Sequence, residues 1–245
     1  FMGHLVDVRN VYKISNPGEN QGNALDGVSL TIDEGEFVAI IGQSGSGKST
    51  FMNMLGLLDT PTEGEYYING KLVDDLTDDE MSVIRNEEIG FIFQGFNLIS
   101  SLTALENVEL PLVYRGMRKD ERREKSIAAL EKVGLKERMD HLPQALSGGQ
   151  QQRVAVARAI AAAPPVILAD EPTGNLDTRS TKDVMKILHQ LKDEGRTVIV
   201  ITHDNEIAME AERVVRIRDG RIVEDYINPG LAEKYGRKAK YDNAN

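Results

Sequence analysis

The feature that most constrains this 245-residue chain is a glycine-rich segment between an apolar strand and a helix. Gly42-Gln-Ser-Gly-Ser-Gly-Lys-Ser49 follows the apolar run 37–41 and precedes a helix predicted over residues 50–58. The spacing G-x-x-x-x-G-K-S/T in a strand–loop–helix context predicts a phosphate-binding loop, because glycines let successive backbone N–H groups converge on phosphate oxygens. The helix N-terminus adds partial positive charge. The pattern alone leaves kinases, GTPases and motor ATPases open.

The side chains of this loop have distinct expected roles. Lys48 reaches the β- and γ-phosphates and is a candidate catalytic residue, while Ser49 offers an oxygen ligand to Mg²⁺. The alternative reading is a flexible glycine turn between a strand and a helix. The residues predicted to contact the nucleotide here are Gly42, Ser44, Gly45, Ser46, Gly47, Lys48, Ser49 and Thr50.

Charge and composition narrow the possible ligands. The chain carries 29 Lys and Arg against 39 Asp and Glu, a formal charge of −10, and it has no cysteine. The acidic balance argues against a general nucleic-acid binder, so a polyanionic ligand must be held by local groups. The missing thiols exclude disulfide scaffolds, thiolate zinc sites and a cysteine nucleophile. The apolar runs are much shorter than the roughly 20 residues of a membrane-spanning helix and no signal-peptide pattern is seen, which favours a cytoplasmic location.

The distribution of apolar residues predicts an α/β fold. Continuous apolar runs are typical of strands buried on both faces of a parallel sheet. Glu65-Tyr-Tyr-Ile68 followed by Asn69-Gly70 predicts a hairpin with a type I′ turn and a small antiparallel layer near the N-terminus. Helical signals dominate residues 95–163, which predicts a helical subdomain inserted into a core of residues 1–94 and 164–228, with a polar tail at 229–245. The predicted core strands are 36–41, 89–93, 166–169, 197–201 and 214–217.

Two helices have legible faces and ends. Val184, Ile187, Leu188 and Leu191 form one apolar face, and Gly195 follows as a stop signal. A second helix is predicted over residues 120–133, with Asp120 as N-cap, Ile127, Leu130 and Val133 as its apolar stripe, and Gly134 as the left-handed C-cap.

Two carboxylates end the apolar run 166–169. Asp170 suits the role of holding Mg²⁺ at the end of a strand, and Glu171 is the candidate for polarising an attacking water. Neighbouring strand residues point to opposite faces, so we expect the two carboxylates to have separate functions. The alternative is that both simply cap the turn at Pro172.

Leu146-Ser-Gly-Gly-Gln150 precedes a helix whose apolar positions are Val156, Ala159, Ile160 and Ala163. Ser147 and Gln150 have the spacing of a capping box, which is one explanation of the motif. Two glycines at the first helical positions cost about 1 kcal/mol each relative to alanine, and capping does not require them. Bare backbone at a helix N-terminus suits close approach to a phosphate.

Taken together, these motifs resemble the ATPase subunit of an ATP-binding cassette (ABC) transporter. The resemblance covers residues 5–226 and implies Walker A and Walker B roles for 42–49 and 170–171. It makes Glu171, His203 and Lys48 the catalytic residues, and Ser49, Gln94 and Asp170 the Mg²⁺ ligands. The further nucleotide contacts that it implies are Gln94 of the Q-loop, Ser147, Gly148, Gly149 and Gln150 of the signature motif, and Asp177 of the D-loop 175–177.

Within that family the chain is similar to the branch of macrolide, antimicrobial-peptide and lipoprotein exporters and the cell-division cassette. The segments 93–98, 102–108, 150–153 and 169–177 carry this similarity. The branch implies a transmembrane permease subunit as partner, which would hold the chain at the inner face of the membrane. A non-transport cassette acting on DNA or ribosomes is the alternative; such proteins usually carry a coiled-coil insertion or two cassettes.

The resemblance also implies how the chain works. One phosphate-binding loop and one signature motif per chain imply that two copies, or one copy and a paralogue, pack head to tail with ATP and Mg²⁺ between them. A lone histidine is more often a buried structural residue, but the position of His203 after a buried strand and before Asp204 favours a functional role, in which it would contact the γ-phosphate. Ser15 stands where the family usually has an adenine-stacking aromatic, so weaker adenine binding is expected.

Overall fold

The computed structural model describes residues 4–15 and 22–231, and it divides into two compact units. The first unit takes its described residues from 4–82 and 197–231, and the second consists of 83–196. In the described residues, no helix is long and apolar enough to cross a membrane. The tail beyond residue 231 lies outside the described residues.

An antiparallel sheet forms the N-terminal part of the first unit. Its strands are β1 (Val6–Ser15), β2 (Gly22–Ile32), β4 (Glu63–Ile68) and β5 (Lys71–Leu72), in the order β2-β1-β4-β5. Asn69 and Gly70 connect β4 to β5 with φ angles of 49° and 75°. A type I′ turn requires positive φ at both central residues, so the predicted hairpin is confirmed.

The first unit also contains the strand that leads into the glycine-rich loop. This strand, β3 (Phe37–Ile41), pairs in parallel with both β8 (Thr197–Thr202) and β9 (Arg213–Arg218), and β9 pairs antiparallel with β10 (Arg221–Ile227). Every residue of β3 and β8 is buried, which explains their uninterrupted apolar sequences. Helices α1 (Lys48–Leu55) and α7 (Asn205–Ala208) belong to this unit.

In the second unit, two parallel strands are accompanied by long helices. The strands are β6 (Ile89–Phe93) and β7 (Val166–Asp170). The helices are α3 (Ala104–Tyr114), α4 (Lys119–Lys132), α5 (Gly148–Ala161) and α6 (Thr178–Asp193), while α2 (Asp78–Glu88) contains the boundary between the units. The five predicted core strands and the α/β class, with an antiparallel sheet and mostly parallel pairing elsewhere, are confirmed. The domain bounds at 95 and 163 stay a prediction.

Several predicted helix ends are wrong by a few residues. Helix α1 begins at Lys48 rather than residue 50, because Gly47 in a left-handed conformation is its N-cap. Helix α4 has Arg118 as N-cap, so Asp120 lies in its first turn, where a carboxylate still favours the helix dipole. Ala163 is exposed with a φ of 54° and is not part of the α5 face, since the following proline disfavours helical backbone.

The C-terminal ends of two helices agree with the predictions. Gly134 follows the α4 C-cap with a φ of 72°, and Gly195 follows the α6 C-cap with a φ of 90°. The predicted apolar face of α6 is buried. On α4, Leu130 and Val133 are buried as expected, while Ile127 is only half-buried.

A buried arginine joins β9 to its neighbours in the first unit. The Arg213 side chain is 2% exposed and donates to both carboxylate oxygens of Asp225, at 2.7 and 2.6 Å. It also donates to the Thr31 carbonyl at 2.7 Å and to Glu36 Oε2 at 3.2 Å. Removing the guanidinium would leave carboxylates in a desolvated site without their counter-charge.

We therefore expect Arg213→Ala to lower the free energy of unfolding by about 3–5 kcal/mol. Arg216→Ala on the same strand is the matched control, because the Arg216–Glu224 pair has side chains 37% and 51% exposed. That control is expected to cost less than about 1 kcal/mol. Equal urea midpoints for the two variants would contradict the assignment of Arg213 as a buried structural charge.

Candidate functional site

The loop between β3 and α1 lies closer to neighbouring backbone than any side chain would allow. A Cβ on Gly42 would stand 2.3 Å from the Ile217 carbonyl oxygen, and one on Gly47 would stand 2.5 Å from the Ala24 carbonyl oxygen. Gly47 also has a φ of 102°, which L-residues rarely adopt. Glycine at these two positions therefore holds the loop against β9 and β2 and starts α1 at Lys48.

Polar groups inside the loop match the chemistry of a phosphate. The Lys48 side chain is largely buried, and its ammonium donates to the carbonyls of Gly42 and Gln43 at 2.6 and 2.8 Å. Ser46 Oγ is buried and has no hydrogen-bond partner among residues 4–15 and 22–231. An orphaned hydroxyl, a lysine and the first amides of α1 together supply donors for a ligand with several acceptor oxygens.

The exposed residues here are Gln43, Ser44, Gly45 and Ser49, whereas Thr50 is half-buried. An exposed Ser49 hydroxyl at the N-terminus of α1 is accessible as an oxygen ligand for a cation. The roles of these residues as nucleotide and Mg²⁺ contacts stay predictions.

His203 directly follows strand β8, the neighbour of the strand that leads into the glycine-rich loop. Ile41 of β3 pairs with Thr202 of β8 in parallel register, so Gly42 and His203 follow adjacent strands at the same end. His203 is exposed, and the reading of it as a buried structural histidine is therefore wrong. Its position agrees with a side chain that meets a ligand at the carboxyl end of the sheet.

The carboxylate pair in the second unit has an unusual backbone. Asp170 is the last residue of β7, and Glu171 follows with a φ of 43°. A residue with a side chain in this left-handed region costs about 1–2 kcal/mol, and such strain is concentrated at functional sites. Glu171 starts a tight turn in which its carbonyl accepts a hydrogen bond from the Gly174 amide at 3.1 Å.

Gln94 follows β6 at the same edge, since Phe93 and Asp170 are parallel partners. Its Nε2 donates to Asn175 Oδ1 at 3.4 Å, and Asn175 Nδ2 donates to the Gln94 carbonyl at 3.2 Å. The amide nitrogen of Gln94 thus faces the D-loop segment, and its amide oxygen is the atom suited to a cation. The contact with Asn175 joins two sequence motifs of the second unit.

The predicted Mg²⁺ ligands Ser49, Gln94 and Asp170 are all oxygen donors, which is the donor type that Mg²⁺ prefers. Among the residues that the structure describes, no group of three or more His, Cys, Asp and Glu could hold a metal ion. Mg²⁺ in nucleotide sites usually takes one or two protein oxygens together with substrate phosphates and water. The donor set therefore fits Mg²⁺ delivered with a nucleotide.

The signature motif forms the capping box that its spacing predicts. Ser147 Oγ accepts from the Gln150 amide at 3.3 Å, and Gln150 Oε1 accepts from the Ser147 amide at 2.9 Å. Both side chains are therefore engaged in starting α5. The exposed groups at this helix end are Ser147 and the bare backbone of Gly148.

Packing requires glycine at only one of the two signature positions, 148 and 149. A Cβ on Gly148 would meet only Phe96 Cζ, at 3.7 Å, so nothing in its surroundings requires glycine. Gly149 is buried, and its Cβ would stand 2.2 Å from Ser180 Oγ and 2.7 Å from Ser180 Cβ. Glycine at 149 thus allows α5 to lie against α6, while Gly148 is the one left open to a ligand. No local sequence pattern could have identified Ser180, because its role depends on its contact with Gly149, which is distant in sequence.

Asp177 is the N-cap of α6. Its Oδ1 accepts from the amides of Arg179 and Ser180, both at 3.0 Å, and its Oδ2 accepts from Ser180 Oγ at 2.8 Å. These hydrogen bonds, led by the one from the Ser180 amide, lower the pKa of Asp177 below its usual value. The carboxylate is satisfied by its own helix, and its nucleotide contact stays a prediction.

The adenine side of the site is only partly described. The side chain of Ser15 lies outside the described residues, so weaker adenine stacking stays a prediction. Tyr12 is turned toward β2, with its hydroxyl 3.1 Å from the position that a Cβ on Gly27 would take.

Replacing each signature glycine tests the difference between them. Gly149→Ala is expected to lower the free energy of unfolding by about 1–3 kcal/mol through overpacking against Ser180. Gly148→Ala should change it by less than about 1 kcal/mol, in the stabilising direction. Ser180→Gly should relieve the collision, so a double-mutant cycle with Gly149→Ala is expected to show coupling of about 1 kcal/mol or more by denaturant unfolding. Strictly additive effects would refute this contact.

Comparison with known proteins agrees with the geometry. The model of the ABC transporter family matches residues 25–174. A macrolide export ATP-binding/permease protein of Hyphomonas neptunium is 52% identical over 97% of this chain, and one of Bdellovibrio bacteriovorus is 52% identical over 90%. A dimeric post-hydrolysis state of the ATP-binding cassette MJ0796 bound to ADP and Pi is 48% identical, with a TM-score of 0.85 over 92% of this chain and 99% of that one.

The extent of these matches differs between the two kinds of relative. The chain spans only 37% and 34% of the length of the two export proteins, whereas it matches nearly all of the solved cassette. The similarity to the export proteins therefore concerns one part of each of them. The chain belongs to the ABC transporter family, of which it has the ATP-binding cassette fold.

Proposed function

We propose that this chain hydrolyses ATP to drive a transmembrane permease in an exporter. The observation that carries the proposal is the set of phosphate donors between β3 and α1: the buried Ser46 hydroxyl, which has no hydrogen-bond partner among the described residues, and the Lys48 ammonium, which lies against the loop carbonyls of Gly42 and Gln43. A triphosphate would take up these donors. The high identity to export ATP-binding/permease proteins supports coupling to transport.

The exposed N-terminus of α5 supports a working dimer. Gly148 presents bare backbone amides that no packing contact explains, and helix N-termini attract anions. In a two-fold, head-to-tail pair, this end of one chain would meet the γ-phosphate held by the loop of the other. A second copy or a paralogous ATPase fills the partner role equally well, and the dimeric state of the solved cassette supports the arrangement.

Each catalytic residue has a defined task in this proposal. Glu171 orients a water for in-line attack, Lys48 offsets charge that develops on the γ-phosphate, and His203 contacts the same phosphate. Ser49, Gln94 and Asp170 would hold Mg²⁺, which neutralises phosphate charge when bound. The strained backbone of Glu171 fixes the direction from which its carboxylate approaches.

The proposed partner is a transmembrane permease subunit, which would place the chain at the inner face of the membrane. The relatives in the comparison are macrolide exporters, so we propose export of a macrolide, a peptide or a lipoprotein. Co-purification of this chain with a multi-span membrane protein would test the partnership, and loss of ATP-dependent export on deleting the chain would test the coupling.

Glu171→Gln tests the catalytic assignment. The amide keeps the shape of the side chain but cannot polarise water as a base, so ATP turnover should fall at least about 100-fold. ATP binding should persist, and an ATP-stable dimer should accumulate in light scattering. Glu137→Gln, at an exposed position, is the control and should hydrolyse ATP normally. Near-normal phosphate release by Glu171→Gln would remove Glu171 from its role.

Lys48→Ala tests the phosphate site itself. Loss of a charge-assisted contact to the phosphates should weaken ATP binding about 10- to 100-fold, measured by calorimetric titration. Lys186→Ala, an exposed change on α6, should leave the affinity unchanged. Thermal unfolding of Lys48→Ala without nucleotide would show whether the loop stays folded. A folded variant with full affinity would contradict the proposed site.

A further inference from the structure

Gln152 is a buried polar residue. Among the described residues, the nitrogen of its side-chain amide has a hydrogen-bond partner and the oxygen has none. Gln152 lies on α5 and is 0% exposed. Its Nε2 donates to the Pro172 carbonyl at 2.5 Å, while its Oε1 is buried without a hydrogen-bond partner in the part of the chain that the structure describes. A buried unsatisfied acceptor costs stability, so an apolar side chain of similar volume would serve packing better. The retained hydrogen bond therefore indicates a function for this contact.

The acceptor of that hydrogen bond belongs to the strained turn of the catalytic carboxylate. Pro172 follows Glu171 directly, and Glu171 has a φ of 43°. Such strained backbone persists only where the surrounding contacts hold it. The contacts that hold this turn include two hydrogen bonds: the Gly174 amide donates to the Glu171 carbonyl, and the Gln152 side chain donates to the Pro172 carbonyl. From outside the turn, Gln152 thus holds the peptide group between Pro172 and Thr173, one peptide beyond the one that follows Glu171.

The same helix carries the signature motif at its N-terminus. Gln152 lies four residues after Gly148, which is about one helical turn, or 6 Å along the axis. A helix of 14 residues moves as one body, so a displacement at Gly148 is passed to Gln152. Gly149, which directly follows Gly148, is packed closely on Ser180, and this close packing limits how α5 can slide on α6.

We propose that Gln152 is a positioning residue for Glu171, which couples the ligand-facing end of α5 to the catalytic carboxylate of the same chain. The inference rests on the proposed role of Glu171. In a head-to-tail pair, contact of one chain's signature motif with the partner's nucleotide would then orient the water-activating group in that chain's own site. The two sites would be linked through a single side-chain amide in each chain.

Two substitutions of Gln152 in the full chain test this role. Gln152→Met keeps the volume and removes the donor, so kcat for ATP should fall about 10- to 100-fold, the effect of a misplaced catalytic group, while KM changes less than about twofold. Gln152→Glu can donate to the Pro172 carbonyl only when its carboxyl is protonated, and burial raises the pKa of a carboxyl. The ratio of its kcat to the wild-type kcat at the same pH should therefore be highest at low pH and fall as pH rises.

Matched variants separate this role from a loss of folding. Asn228 is a buried amide that donates to the Met209 and Ala211 carbonyls in the first unit, so Asn228→Met should lower the melting temperature with kcat unchanged. A kcat for Gln152→Met within twofold of wild type would overturn the proposal, as would a wild-type pH profile for Gln152→Glu. If Gln152→Met does not fold, the pH profile of Gln152→Glu decides. Normal turnover by Glu171→Gln would instead reject the proposed role of Glu171 on which the inference rests, and absence of ATP hydrolysis by the wild-type chain would reject the proposed function itself.

Discussion

Close approach of a glycine backbone to a neighbouring segment is the constraint on which the phosphate loop and the signature motif each depend. Gly42 and Gly47 let the phosphate loop lie against β9 and β2, and Gly149 lets α5 lie against α6. In each case a single Cβ would stand within about 2.5 Å of another atom, nearer than non-bonded atoms come in folded proteins. Glycine at these positions lets α1 and α5 begin where they do without strain, and the backbone amides of their first turns are then available as donors.

The acidic character of the chain makes local donors necessary. With a formal charge of −10, the average field repels a triphosphate, but charges are screened beyond roughly 8 Å at physiological salt. Contact groups within hydrogen-bond distance therefore decide binding. The amides of α1, the Ser46 hydroxyl and Lys48 are such groups in the first unit, and the amides at the start of α5 are their counterpart in the second.

Local patterns predicted much of this fold, and they placed the candidate residues at the ends of strands and helices. Strand bounds agreed within about two residues because buried parallel strands are continuous apolar runs, and Asn69-Gly70 identified its own turn. The errors arose at helix ends, as at Asp120. Aspartate is a good N-cap residue, but Asp120 is the second residue of α4 and Arg118 is the N-cap. Contacts between distant segments had no such signal: neither the pairing of Gly149 with Ser180 nor that of Gln152 with Pro172 follows from spacing.

Helix α5 connects the motifs of the second unit, and this explains why its sequence departs from that of an ordinary amphipathic helix. Arg158, near its C-terminal end, donates to the carbonyls of Phe96 and Asn97, two successive left-handed residues that follow Gln94. Burial lowers the pKa of Arg158, yet a guanidinium stays charged at any physiological pH and keeps both bonds. Gln152 and Arg158 therefore bond two segments to one helix. These segments are the turn that follows Asp170 and the residues that follow Gln94. In the proposed coupling, a ligand that shifts the start of α5 would act on both segments at once.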